Sequence, residues 1–294
     1  EIRLSLVGSE MCIRDRELSM RCLVVADLHY TLPQFDWLVA AAPQFDLVIF
    51  AGDALDLGSI VDFRAQIVVV KKYLALLAAK TRVIICSGNH DLDDRSEDGE
   101  KIARWIGEVR ELGIACDGDT LTIDGTLFTV CPWWDGPQVK ASIEQQLSQD
   151  AARRASRWIW VHHAPPANSP VSWGGKRFFG DAELMGWIAR HQPAMVISGH
   201  VHQSPFINDG SWFDRLGLTW AFNTGRQPGR PPTYIVIEPD AGRAFWLAAG
   251  QAEWVDLNSA LQRPAQPVVE APDWLKAVGR IPDPFLARPA AAAG

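Results

Sequence analysis

The sequence predicts a layered α/β sandwich, because short apolar strand candidates alternate with amphipathic helix candidates and hairpin signals accompany them. The chain has 294 residues, of which 48% are apolar and 21% charged, as is ordinary for a folded protein. This composition excludes disorder as the main state. The longest apolar stretches, such as residues 73–79, fall far short of the roughly 18–20 residues that cross a bilayer.

Five of the predicted strands, at residues 22–26, 47–51, 83–86, 158–161 and 195–198, are near-continuous apolar runs, which is typical of strands covered on both faces. Asp124-Gly125 separates two further strand candidates and predicts a two-residue hairpin turn. The predicted strands span residues 22–26, 47–51, 83–86, 120–123, 126–130, 158–161, 195–198, 219–222, 233–237 and 243–247.

Three helices are predicted from apolar residues that recur every three or four positions. Asp62 is the expected N-cap of the first helix, Gly113 the expected stop of the second, and Asp181 the expected N-cap of the third. The predicted helices cover residues 63–77, 102–112 and 182–191.

The net charge and the cysteine content disfavour certain binding partners and certain disulfide or zinc frameworks. The net charge of −7 disfavours a long basic groove for nucleic acid. The five cysteines form no CxxC pair, and their number is odd, so a disulfide framework or a thiolate zinc site is disfavoured. We therefore expect free thiols in a reducing compartment and a cytoplasmic location.

A polar cluster follows each of five predicted strands. We expect all five clusters to project from the same edge of one sheet and to bring imidazoles, carboxylates and an amide together. These donors suit Mn, Fe, Zn, Co or Ni, and their number suits two ions better than one. The clusters are Asp27-Leu28-His29, Gly52-Asp53, Gly88-Asn89-His90-Asp91, His162-His163-Ala164-Pro165-Pro166 and Gly199-His200-Val201-His202.

Spacing within the clusters has a physical basis. Residues i and i+2 of an extended segment face the same side, so both residues of a D-x-H or H-x-H turn can reach one ion or a pair of ions. The glycines before Asp53, Asn89 and His200 are predicted to permit the backbone conformations of tight turns.

The ordered series of clusters, from about Arg21 to Ile237, resembles the calcineurin-like metallophosphoesterase superfamily. The resemblance implies a four-layer α/β/β/α sandwich with two divalent transition-metal ions, Mn²⁺ first and Fe, Zn, Co or Ni as alternatives. It also implies the ligands: Asp27, His29 and His202 for one ion, Asn89, His163 and His200 for the other, and Asp53 as the bridge. His162 is the alternative to His163.

The resemblance implies hydrolysis of a phosphomonoester or phosphodiester by a hydroxide that bridges the two ions. His90 would contact the scissile phosphate or donate a proton to the leaving group, and Asp91 would orient His90. Asn89 and Arg226 are the predicted contacts to the substrate phosphate.

The predicted substrate is a small molecule or nucleotide. Leu57 stands where protein Ser/Thr phosphatases of the superfamily have an arginine, and Asp91 follows Gly-Asn-His where they have a glutamate. Trp133 and Trp134 are predicted either to stack on a base or to pack in the core. Residues 172–177 are predicted to form either a phosphate-contacting lid or a solvated loop.

Two other functions stay open: a nuclease of the same superfamily and a catalytically silent metal-binding interaction module. The complete set of motif residues favours the hydrolase. We expect no membrane partner, and nucleic acid is not a favoured partner. The predicted organisation is a non-native extension over residues 1–19, a metallophosphoesterase domain over 20–261 and a Pro/Ala-rich, partly disordered tail over 262–294.

Overall fold

The computed structural model describes residues 20–153 and 157–282. Two β-sheets face each other, and helices cover their outer faces. This order of layers confirms the predicted four-layer α/β/β/α sandwich. Within the described ranges, no helix is long and apolar enough to cross a membrane.

The first sheet has seven strands in the order β15-β14-β13-β12-β1-β2-β3. The three strands β1, β2 and β3 run parallel, and β12 joins β1 antiparallel. Its strands are β1 (Cys22–Val25), β2 (Leu47–Ala51), β3 (Arg82–Cys86), β12 (Tyr234–Glu238), β13 (Arg243–Ala248), β14 (Gln251–Asp256) and β15 (Gln266–Pro267).

The second sheet has six strands in the order β10-β11-β9-β8-β7-β6. Asp124 and Gly125 both adopt positive φ in the β6–β7 turn, as a type I′ hairpin requires. A separate ribbon pairs β4 (Asp94–Arg95) with β5 (Lys101–Ile102). The sheet strands are β6 (Thr120–Ile123), β7 (Thr126–Val130), β8 (Arg157–Val161), β9 (Met195–Ser198), β10 (Phe213–Leu216) and β11 (Thr219–Asn223).

The described ranges contain six α-helices. The side chains of Asp62 and Asp181 accept amide hydrogen bonds at the N-termini of α2 and α5, as predicted. The predicted helix over residues 102–112 is shorter, because α3 gives way to a 3₁₀ turn that ends at Gly113 with φ of 76°. The helices are α1 (Leu32–Ala41), α2 (Phe63–Ala78), α3 (Arg104–Glu108), α4 (Pro137–Ala151), α5 (Ala182–His191) and α6 (Asp273–Val278).

Alternate residues of each central strand enter different core layers. Val48 and Phe50 of β2 pack towards the helices, whereas Ile49 packs between the two sheets. Trp160 of β8 packs under α4 and α5, and Ile159 enters the layer between the sheets. This double burial explains why the strands appear as unbroken apolar runs.

The C-terminal segment up to residue 282 packs on the first sheet. Within it, β15 pairs with β14, and Trp274 and Val278 of α6 are buried. The expectations for residues 1–19 and for the last part of the tail, residues 283–294, fall outside the described residues.

Candidate metal centre

The expectation that the five polar clusters lie at the edge of one sheet is wrong. The first three clusters follow β1, β2 and β3 of the first sheet, and the last two follow β8 and β9 of the second. The carboxyl ends of both sets of strands meet at one rim, where the amide of His200 donates to the carboxylate of Asp27 at 3.0 Å. The site therefore lies between the two sheets.

Asp27, His29 and His202 form one group of candidate ligands, whose donor atoms lie within 4.8 Å of one another. The Nε2 atom of His202 is 3.2 Å from Asp27 Oδ1, and Nε2 of His29 is 3.7 Å from the same oxygen. The two Nε2 atoms are 3.0 Å apart. The three side chains thus converge on one point, as an ion would require.

A second group consists of Asp53, His163 and His200, again within 4.8 Å. Oδ2 of Asp53 is 3.1 Å from Nε2 of His163 and 3.6 Å from Nε2 of His29, so this carboxylate faces both groups. The Oδ1 atom of Asn89 lies 2.9 Å from Nδ1 of His200. The structure thereby brings all seven predicted ligands together.

His163 supplies a direct test of whether a cation fits. Its Nδ1 atom lies 2.7 Å from the carbonyl oxygen of Ala51, which only accepts, so Nδ1 carries the proton. The Nε2 atom is then a buried lone pair without a hydrogen-bond donor, and it faces the carboxylates of Asp27 and Asp53. A positive charge between these atoms removes the repulsion, so the residues fit a metal ion.

The pKa values of Asp27, Asp53 and His163 also favour a positive charge between the two carboxylates and the imidazole. Burial alone raises the pKa of Asp27 and Asp53, but the neighbouring histidines outweigh it and hold both pKa values below their ordinary range. Burial lowers the pKa of His163, yet the charge of Asp53 outweighs it and raises the pKa to about 9. Without a metal ion, a proton on Nε2 would supply the positive charge between the carboxylates, so a proton and a metal ion compete for this position.

Backbone strain is concentrated at the candidate ligands. Asp27, His29, Asp53 and His200 adopt positive φ between 41° and 69°, in the left-handed region that residues with a Cβ atom rarely use. Such strain persists where the surrounding structure over-determines it, and it is common at binding sites. The loops are thus held in the conformation that directs these side chains inward.

The cluster glycines act in two ways. Gly52 has φ of 88°, as predicted for a tight turn. At Gly88 the reason is contact instead: a Cβ atom there would lie 2.2 Å from Oδ1 of Asp53. Gly88 therefore admits the side chain of the predicted bridging ligand.

His90 lies at the edge of this site. Its ring packs edge-on against His29 with centroids 4.5 Å apart, and burial lowers its pKa. The amide of Leu57 donates to Nδ1 of His90 at 3.3 Å, which leaves the ring proton on Nε2.

The prediction that Asp91 orients His90 is wrong. The buried carboxylate of Asp91 accepts hydrogen bonds of 2.8–3.0 Å from four backbone amides. Among the described residues it forms no hydrogen bond with His90. Asp91 instead ties the loop after β2 to the loop after β3, and thereby positions Asp53. The four amides belong to Asp53, Ala54, Leu55 and Gly88.

His162 and Arg226 occupy different surroundings. His162 is fully buried and points away from both groups, with Nε2 3.5 Å from Oδ2 of Asp181. Arg226 Nε donates to the carbonyl oxygen of Asp27 at 3.0 Å, so its guanidinium lies beside the first group.

Residues 20–204, more than half of the chain, match the family model described as calcineurin-like phosphoesterase. UPF0046 protein K07C11.7 of Caenorhabditis elegans is 24% identical over 200 residues, which are 63% of this chain and 64% of that protein. The chain thus aligns with less than two thirds of this relative.

Two solved structures share the fold. The protein TT1561 of Thermus thermophilus aligns with 81% of this chain and 99% of its own, at 14% identity and a TM-score of 0.53. Purple acid phosphatase PPD1 from seeds of yellow lupin (Lupinus luteus) aligns with 84% of this chain and 53% of its own, at 11% identity and a TM-score of 0.50.

Proposed function

Because the chain belongs to the calcineurin-like phosphoesterase family, we propose that it is a two-metal-dependent hydrolase of phosphomonoesters or phosphodiesters. The observation that carries this proposal is the buried lone pair of His163 Nε2, which faces two carboxylates. A side chain in this arrangement is suited to a cation, and the hydrogen bond from Nδ1 to Ala51 holds its ring in that orientation.

We assign the ligands from the two groups described above. Asp27, His29 and His202 would hold one ion, and Asn89, His163 and His200 the other, with Asp53 shared. Mn²⁺ is the first choice, and Fe, Zn, Co and Ni are alternatives for the same donor set. Bound there, two divalent ions would lower the pKa of water and offset charge on the phosphoryl oxygens.

The chain's own residues supply binding and proton transfer. His90 carries its proton on Nε2, where it serves as donor to the departing ester oxygen. Asn89 and Arg226 would contact the phosphoryl oxygens, since both side chains lie beside the candidate ligands. Asp91 keeps Asp53 in place through the loop amides.

A small molecule or nucleotide is the substrate that we propose. Leu57 is 60% exposed next to His90 and offers no charge to a phosphoprotein. The net charge of −7 opposes nucleic acid as a partner. Four buried free cysteines support a cytoplasmic location: Cys22, Cys86, Cys116 and Cys131.

The test compares hydrolysis of bis(p-nitrophenyl) phosphate and p-nitrophenyl phosphate by the Mn²⁺-loaded protein and two variants. Asp53→Asn should lose bound metal and rate together, whereas His90→Ala should keep metal and lose about 10²–10⁴-fold in rate. Asp124→Asn is the matched control, because Asn-Gly favours the same exposed turn. Rates equal to the parent in both site variants would contradict the proposal.

A further inference from the structure

A cavity of about 420 Å³ opens beside His200, next to the candidate metal centre. Ala164, the residue after His163, also lines it, so the cavity borders the metal centre. The volume lies in the range of about 300–1,000 Å³ that is typical of small-ligand sites. We call this cavity the tryptophan pocket, and define it by Trp133, Trp134, Phe179, Asp181, Glu183 and His200.

Both indole rings of the pocket are held in place. The ring of Trp133 lies 5.2 Å from that of His200, and the backbone amide of Trp133 donates to the hydroxyl of Ser87 at 2.8 Å. The Nε1 atom of Trp134 donates to Oδ2 of Asp181 at 2.8 Å. Flat aromatic walls that are fixed before binding cost little entropy when a ligand arrives.

Phe179 brings a third ring to the pocket, although it is 40% exposed. Its amide donates to the carbonyl oxygen of Ser172 at 2.8 Å, and its ring lies where a Cβ atom on Gly174 would come within 2.3 Å. The guanidinium of Arg177 is 4.6 Å from the ring. An exposed apolar ring that is fixed in this way is available to cover a ligand.

The charged groups of the pocket disfavour anions. The carboxylate of Asp181 already accepts hydrogen bonds from the amides of Glu183 and Leu184 and from the indole of Trp134. It therefore has little capacity left to accept a hydrogen bond from a ligand, but it still contributes negative charge to the pocket. Glu183 adds a second carboxylate, and two neighbouring cations, Lys140 at 3.1 Å from Glu183 and Arg177 at 4.6 Å from the Phe179 ring, do not line the pocket. A phosphoryl group is therefore better placed at the metal centre than in the pocket.

We propose that the tryptophan pocket binds a planar, uncharged aromatic ring of the substrate while the phosphoryl group lies at the metal centre. The placement of the phosphoryl group rests on the proposed function, whereas recognition of the ring does not. Ring stacking on aromatic side chains accepts any planar ring, and the carboxylates reject rings that carry negative charge.

The test measures binding of adenosine and ribose to the metal-free protein by saturation-transfer NMR. We expect adenosine to bind at least tenfold more tightly than ribose, and uridine more tightly than the anionic orotidine. Phe179→Ala should remove most of this preference. Phe178→Ala is the matched control, because Phe178 lies in the same loop and is 42% exposed but does not line the pocket.

Equal binding of adenosine and ribose would overturn the proposal, as would equal losses in Phe178→Ala and Phe179→Ala. Phenol is the second probe: binding as tight as that of adenosine indicates an aryl ester, and weaker binding indicates a nucleoside ester. If adenosine binds but the Mn²⁺-loaded protein hydrolyses no phosphoester, the proposed function fails and the ring site stands.

Discussion

Gly199 lies directly against Asp27: a Cβ atom built on Gly199 would come within 2.4 Å of Oδ2 of that carboxylate and 2.5 Å of Ala26 Cβ. The contact joins the loop after β9 to the loop after β1, and therefore joins the two sheets at the candidate metal centre. Glycine is required here by the close approach of the two loops.

We therefore predict that Gly199→Ala pushes Asp27 away from its partners. Overpacking of this kind costs about 1–3 kcal/mol of stability. The amount of bound Mn²⁺, measured by equilibrium dialysis, should fall together with the stability. Gly186→Ala is the control, since Gly186 is in α5 and a Cβ there meets nothing within 4 Å. That variant should be as stable as the parent or up to about 1 kcal/mol more stable.

The two adjacent histidines of the fourth cluster should behave differently. His163→Ala removes the lone pair that faces Asp27 and Asp53, so affinity for Mn²⁺ should fall about tenfold or more. His162→Ala deletes an equally buried imidazole that faces Asp181, so the variant should lose stability but keep its metal. Equal metal loss in both variants would contradict the assignment of His163.

The local parts of the site could be predicted from the sequence, and the contacts between distant segments could not. Each ligand lies shortly after the end of an apolar strand, so a short stretch of sequence reveals it. By contrast, Trp134 and Asp181 are 47 residues apart, and Asp181 shows only the pattern of a helix cap. Assignment of the strands to two sheets depends on long-range pairing, which apolar runs do not encode.

Helix α1 was not predicted, for a related reason. In α1, Gln34 faces inward and is buried because its amide donates to the carbonyl oxygens of Gln227 and Gly229. A polar residue on the buried face breaks the apolar period, so the pattern is lost. The role of Asp91 could not be predicted because its partners are backbone amides, which every residue type except proline carries and which no sequence pattern therefore identifies.

Asp91→Asn should destabilise the fold and weaken metal binding indirectly. The carboxylate accepts four amide hydrogen bonds, whereas an asparagine presents an amide group to some of those donors. We expect a loss of about 2–4 kcal/mol in urea unfolding of the metal-free protein. Asp98→Asn, at an exposed position, should change nothing. A stable Asp91→Asn variant would show that the loops after β2 and β3 keep their conformation without this carboxylate.

The last prediction concerns acid stability and Asp181. Burial raises the pKa of Asp181, but the nearby imidazole of His162 and the hydrogen bond from Trp134 outweigh it and lower the pKa to about 2, against an ordinary value of 3.8. A carboxyl group with a lowered pKa in the folded state stabilises the fold above pH 4, and this contribution disappears as the pH falls towards 2. The shift corresponds to roughly 2 kcal/mol.

Urea unfolding of the parent and of Asp181→Asn between pH 2.5 and 7 measures this contribution. The stability difference between the two proteins should be largest above pH 4 and should shrink by roughly 2 kcal/mol towards the acid end. The same series on Asp98→Asn, whose side chain is exposed, is the control for the loss of one acidic side chain. A constant difference for Asp181→Asn would mean that its carboxylate is not held by His162 and Trp134, and the tryptophan pocket would then lack the fixed negative charge that disfavours anionic rings.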